Sequence, residues 1–205
     1  MIGILNSPHS NVASVTNALD YLNLQWISVW KKKDFRNITS LILPGVGTYP
    51  TAMEYVRTNG IDESITSFIE KGSNVLGICL GMQLLFESSS ELKISKGLSF
   101  LKGDVKIMET NLSNKVPHIG WNTTKITSES KLYNGVPEEV DFYFANSFSC
   151  HPKDEEIIKA EYENGNIYVA AVESENIAGV QFHPEKSQLG GLRILKNFAK
   201  MAAKC

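Results

Sequence analysis

Over the first hundred residues, short apolar runs alternate with stretches whose apolar positions recur every three or four residues. Ile2–Leu5 is a strand-length run, and a helical pattern follows over Asn11–Leu22. Gln25–Trp30 and Ser40–Leu43 read as two further strands, each bounded by polar residues. Helical spacing returns over Thr51–Arg57 and Asp62–Glu70, with Asp62 placed to cap the second helix. Asn74–Cys79 is again a buried-strand pattern. Such alternation predicts a parallel sheet with helices on both faces. After Gly97 the pattern changes to strands and turns: Gly103–Met108, Ile119–Ile126, Asp141–Ala145, Ile157–Tyr162, Ile167–Val172 and Ala178–Phe182. Asn164-Gly165 is a hairpin turn between two of them. Gly191–Ala203 predicts a closing amphipathic helix with Leu192, Leu195, Phe198 and Ala199 on one face. The expected fold is α/β: a mixed, largely parallel sheet flanked by helices, with an added antiparallel strand region.

One point in this pattern carries chemistry. Gly77-Ile78-Cys79-Leu80-Gly81 lies where the fourth strand gives way to a helical pattern through Met82, Leu84, Leu85 and Phe86, expected to end at Ser88-Ser89-Ser90. A cysteine flanked at two positions on either side by glycine suits a nucleophile elbow, a strained turn with no room for neighbouring side chains. The N–H groups and dipole of the following helix favour the thiolate there. A plain core strand gains nothing from such glycines and loses packing. Far downstream, Val180-Gln181-Phe182-His183-Pro184-Glu185 follows an apolar strand. Residues two apart on an extended chain share a side. Pro184 is expected to hold the segment extended, so that His183 and Glu185 face one site. His183 would take the thiol proton on one nitrogen, and Glu185 would orient the ring through the other. A Cys79-His183-Glu185 triad is the resulting expectation.

Composition narrows the class. The 205 residues suit one α/β domain spanning positions 1–205. A net charge of −2 points to neither nucleic acid nor an anionic membrane. Lys31-Lys32-Lys33 is followed by Asp34 and reads as a solvated loop or helix start. Three cysteines, Cys79, Cys150 and Cys205, are too few and too odd for a disulfide framework, which suggests a reducing cytoplasm. No leader pattern, membrane-length apolar run, metal-ligand spacing, Walker-type loop or dinucleotide fingerprint is visible, so no cofactor or metal is expected.

Cys79 within Gly-Ile-Cys-Leu-Gly-Met-Gln, together with His183-Pro184-Glu185, resembles the class I (triad-type) glutamine amidotransferases over nearly the whole chain. Pro117-His118-Ile119-Gly120-Trp121-Asn122 and Lys186-Ser187 resemble one subfamily, the glutaminase subunit of imidazole glycerol phosphate synthase in histidine biosynthesis. The resemblance implies glutamine hydrolysis through a Cys79 thioester, with ammonia passed to a (β/α)8 cyclase as heterodimer partner. Leu80 N–H is the natural first oxyanion donor. The resemblance places the second in Gly45-Val46-Gly47, where glycine allows the Gly45-Val46 peptide to switch. It also assigns substrate contacts to Gln83, Glu91 and the Ser147-Phe148 backbone. Trp121, Asn122 and Lys186 are candidates for the docking face or the ammonia gate. The segment Tyr143-Phe144-Ala145-Asn146-Ser147-Phe148 departs from the subfamily's usual Tyr-Phe-Val-His-Ser-Tyr. That departure leaves open a paralogue serving another synthase, such as a sugar amidotransferase. From other classes, a cysteine peptidase, a thiol-stress protein or a non-catalytic regulatory homologue could share the elbow. Labelling of Cys79 by a glutamine-analogue electrophile separates these.

Overall fold

The computed structural model describes residues 1–8, 10–110 and 115–202. The chain begins with β1 (Ile2–Leu5), α1 (Val12–Tyr21), β2 (Trp26–Val29) and β3 (Ser40–Gly45). Helices α2 (Tyr49–Thr58) and α3 (Ile61–Glu70) precede β4 (Asn74–Cys79). A single turn of helix, α4 (Leu80–Leu84), leads to β5 (Phe86–Ser89), β6 (Ser95–Lys96) and β7 (Leu101–Ile107). Then come β8 (His118–Ile126), β9 (Glu139–Asn146), β10 (Phe148–Pro152), β11 (Ile158–Asn164), β12 (Asn166–Ser174), β13 (Ile177–Val180) and α5 (Gln188–Ala202).

The main sheet has the order β2-β1-β3-β4-β13-β12-β11-β8-β9. Neighbours from β2 through β13 are parallel, and those from β13 through β9 are antiparallel. Strands β1, β3, β4 and β13 are buried at every position, as parallel strands covered on both faces must be. Strand β8 instead alternates between half-buried and exposed residues over most of its length, so one face meets solvent. Successive side chains of β4 serve two different cores. Leu76 and Ile78 pack with Leu19, Phe182 and Phe198, whereas Val75 packs with Leu41, Met53 and Phe86. A second sheet, β10-β7-β5-β6, is mixed: β5 and β7 are parallel and its other pairs antiparallel.

Several expectations shift at their boundaries. The helix after Cys79 ends at Leu84, and Phe86–Ser89 is a strand, not the rest of a helix reaching Ser88–Ser90. The carbonyls of Leu84, Leu85 and Phe86 are taken by the N–H groups of Leu98, Phe100 and Ser99 at 2.9–3.1 Å, which pulls this segment out of the helix. An apolar run this short fits either period. Asp62 is not the cap of α3. Gly60 holds that place with φ +61, a left-handed turn that also ends α2, and Asp62 lies in the first turn where its charge suits the dipole. Helix α5 begins at Gln188, ahead of the expected Gly191, and Ala203 lies outside the described residues. Its inner face is Ile194, Leu195 and Phe198, all fully buried, with Leu192 and Ala199 half-buried beside them. The Asn164-Gly165 hairpin stands as expected, with Gly165 at φ +74 and Asn164 facing Asn166. The lysine run opens an exposed 3-10 turn over Lys32–Asn37. Among the described residues no helix is long and apolar enough to cross a membrane.

Candidate active site

Sheet register brings the chemistry together. The β3–β4 pairing runs from Ser40 opposite Asn74 to Gly45 opposite Cys79. The β13–β4 pairing ends with Val180 opposite Ile78. Three chain segments therefore leave neighbouring parallel strands at the same carboxyl edge, where open α/β sheets hold their sites.

Cys79 adopts φ +53, ψ −111, a region that residues with a side chain avoid. The two glycines make that turn possible. A Cβ on Gly77 would lie 2.6 Å from the Gly81 carbonyl oxygen and the Met82 backbone, and one on Gly81 would overlap the Leu43 carbonyl. Leu80 is the first residue of α4, where an N–H has no acceptor within the helix.

His183 is fixed by its backbone: its N–H donates to the Tyr143 carbonyl at 2.8 Å. Ser187 adds a brace, accepting from Tyr143 N–H at 2.9 Å and donating to the His183 carbonyl at 2.6 Å. Next to it, Phe182 stacks on Phe142 with centroids 3.8 Å apart. His183 Nδ1 and Glu185 Oε1 are 2.9 Å apart, with side chains 5% and 2% exposed. The reason differs from the expected one. Pro184–Lys186 form a 3-10 turn with proline at its start, so the pair meets across a turn and not along an extended segment. Proline lacks an N–H and has a helical φ, which suits the first position of a helix as well as it suits a strand end. Burial, the largest influence on the imidazole, pushes its pKa down. Hydrogen bonds and charge from Cys79 and Glu185 outweigh burial and raise it to about 10. His183 is therefore set to hold a proton in the presence of these two partners.

The other candidate residues divide into groups. Gly45 passes over the elbow, since a Cβ there would be 2.8 Å from Leu80 Cβ; Val46 is exposed and Gly47 has φ +102. Gln83 is buried, and its amide donates to the Phe148 carbonyl and to Gln181 Oε1, both at 3.1 Å. Glu91 reaches back to α2, where its carboxylate accepts from Tyr49 N–H at 2.7 Å. The Ser147 carbonyl accepts from Met108 N–H, and that of Phe148 from both Gln83 and Asn146. Trp121 sits edge-on to Tyr143, whose ring also carries Lys186 Nζ at 5.5 Å and stands 6.4 Å from the His183 ring. Asn122 points to the other face of β8, bonded to the Glu163 carbonyl at 2.7 Å and next to His118 Nε2. The structure thus brings Trp121 and Lys186 together beside the triad and directs the Asn122 side chain away from them. Tyr143, Ser187 and Gln181 were not assigned site roles from sequence. All three lay inside the recognised motifs, but only the folded structure shows what they touch.

The description "Glutamine amidotransferase class-I" matches residues 4–202. The chain is 42% identical over 203 residues to the imidazole glycerol phosphate synthase subunit HisH of Sulfurimonas denitrificans, covering 98% of each chain. It is 39% identical to the subunit of the same name from Chlorobaculum tepidum, covering 98% of this chain and all of the relative. Among solved structures, a glutamine amidotransferase superposes with a TM-score of 0.78 at 20% identity, covering 98% of each chain. PurLQS from Thermotoga maritima superposes with a TM-score of 0.72, also at 20% identity, covering 97% of each chain; at that identity the likeness concerns the fold. A family match over almost the full length, laid on a cysteine elbow paired with a buried His-Glu couple, makes this chain a member of the class I glutamine amidotransferases.

Proposed function

We propose that the chain hydrolyses glutamine as the glutaminase subunit of an imidazole glycerol phosphate synthase in histidine biosynthesis, handing ammonia to a (β/α)8 cyclase in the cytoplasm. The observation that carries the chemistry is Cys79 at the elbow, electrostatically coupled to a buried imidazole that Glu185 holds at 2.9 Å. The full-length relatedness to HisH subunits supports the pathway.

His183 takes the proton from sulfur, a transfer that its raised pKa favours. The thiolate adds to the glutamine side-chain amide carbon, and the oxyanion takes the Leu80 N–H, with a second donor from the Gly45-Val46-Gly47 segment. Collapse breaks the C–N bond as the imidazolium gives its proton to the departing ammonia. The neutral imidazole then takes a proton from water, whose oxygen attacks the thioester. When the C–S bond breaks, the electron pair returns to sulfur and the proton rests again on His183. Gln83, Glu91 and the Ser147-Phe148 backbone hold the substrate's amino-acid end in this reading, and Trp121, Asn122 and Lys186 belong to the docking face or gate. The exposed Val46 and the glycines beside it support a peptide that rotates when the partner docks, so the free subunit is a slow glutaminase.

The test is glutamate release from glutamine with and without the cyclase and its nucleotide ligand, with Cys79→Ala as the blank. Large stimulation, lost in the variant, is the expected result. A Cys79-dependent rate that the cyclase leaves unchanged would keep the glutaminase and assign it to another synthase. No Cys79-dependent hydrolysis under either condition would overturn both.

A further inference from the structure

Between the triad and the core lies a chain of buried amides whose link to the sulfur the reaction above does not use. Gln181 is fully buried on the segment leaving β13, and its backbone N–H is held by the Ala170 carbonyl at 2.8 Å. Its side-chain Nε2 lies 3.7 Å from Cys79 Sγ, and its Oε1 accepts from Gln83 Nε2 at 3.1 Å. Gln83 Nε2 also donates to the Phe148 carbonyl at 3.1 Å.

The direction of this chain follows from chemistry. A carbonyl oxygen only accepts, so the Phe148 carbonyl obliges Gln83 to present its NH2 group. The second N–H of that group then needs an acceptor, which turns Gln181 Oε1 toward it. Gln181 is left with its own NH2 group facing the sulfur. One backbone carbonyl thereby fixes the orientation of two amides, and Asn146 Nδ2, 3.1 Å from the same carbonyl, steadies it further.

We propose that Gln181 is a further catalytic residue, a buried neutral donor to the Cys79 sulfur, and that Gln83 is the positioning residue that aims it. A donor at this place favours sulfur carrying negative charge, both in the resting thiolate and when the C–S bond breaks and the electron pair returns. It does so without adding a second cation beside His183. This goes beyond the substrate contact proposed above for Gln83. It rests on Cys79 being the nucleophile, but not on glutamine being the substrate.

The experiment is the pH dependence of Cys79 alkylation by iodoacetamide, which requires no glutamine turnover, with Cys79→Ala as the blank. Gln181→Met keeps length and removes the donor. Its expected effect is an upward shift of the alkylation midpoint by about one pH unit, an approximately tenfold slower reaction on the acid side of the midpoint. Gln83→Met should move the profile the same way by less. The double variant should resemble Gln181→Met alone, because both changes act through one contact. A cooperative thermal melt with unaltered circular dichroism identifies the variants that keep the fold. A folded Gln181→Met protein with the parent's alkylation profile would overturn the proposal, as would losses that multiply in the double variant. A shifted profile in a protein that does not hydrolyse glutamine would uphold this proposal while overturning the proposed function.

Discussion

Cys79 holds its sulfur at the sheet edge only by accepting φ +53, a conformation that costs roughly 1–3 kcal/mol for a residue with a side chain. The electrostatics of the site depend on His183, whose pKa is raised to about 10 because the influence of Cys79 and Glu185 outweighs burial. Glu185→Gln removes one of them and leaves the ring free to turn. We expect at least about a hundredfold loss in the rate of glutamate release, as when the carboxylate of a triad becomes an amide. The same shift predicts a stability dependence. A folded-state pKa raised from 6.5 to about 10 gives stabilisation that is full below pH 6.5, declines as pH rises, and is gone above about 10. The melting-temperature margin over His183→Gln should therefore shrink across that window; a margin that grows with pH would contradict the assignment. Cys79 and His183 were legible in the sequence because their cues are local: glycines two residues to either side, and a proline-glutamate pair adjoining the histidine. The Gln83–Gln181 contact was not, because 98 residues separate its partners and only strand pairing joins them.

Among the elements, α4 shows how little helix a nucleophile elbow needs. Its five residues place the Leu80 N–H in the first turn, without an acceptor inside the helix, before the chain leaves as β5. The sequence showed the elbow but not the helix's length, because carbonyls that would continue α4 are claimed by residues 98–100, a tertiary choice invisible in local periodicity. Gly81→Ala should test the packing beneath. Its Cβ would meet the Leu43 backbone, which cannot rotate away, so we expect a destabilisation of about 1–3 kcal/mol in urea unfolding together with slowed alkylation of Cys79. Glu91 illustrates an element held from afar. Thr48 at the N-cap of α2 bonds Thr51 at 2.8 Å and makes no side-chain cap, so the Glu91 carboxylate binds the orphan N–H of Tyr49 in its stead. Glu91→Ala should cost about 1 kcal/mol in urea unfolding while leaving Cys79 alkylation unchanged. Unaltered stability would remove the capping role.

At the scale of the molecule, the alternating first half announced the parallel strands, and the later runs form antiparallel pairs except where β13 joins β4 and β7 joins β5 in parallel. Their division between an extension of the main sheet and a separate four-stranded sheet had no local signature, since either partner satisfies the same alternation. The carboxyl edge beside the triad also carries an exposed apolar surface: Trp121 is 48% and Ile119 64% exposed, two apart on β8. In the proposed complex Trp121 is an anchor. Trp121→Ala should weaken cyclase binding by about 2 kcal/mol or more, roughly thirtyfold in Kd by calorimetry, with little change in melting temperature. A variant that binds as tightly as the parent would move the docking face elsewhere.

The place of β13 has a consequence for the order in which the molecule is made. It begins at Ile177, later than every other strand among the described residues, yet it lies between β4 and β12 and joins the two halves of the main sheet. A chain still emerging from the ribosome already contains Cys79, but it lacks the strand that seats Gln181 and His183 beside it. Until synthesis reaches this point the cysteine lacks the histidine expected to serve as its base. The site is thus completed only after the last strand closes the gap and the turn behind it brings in Glu185.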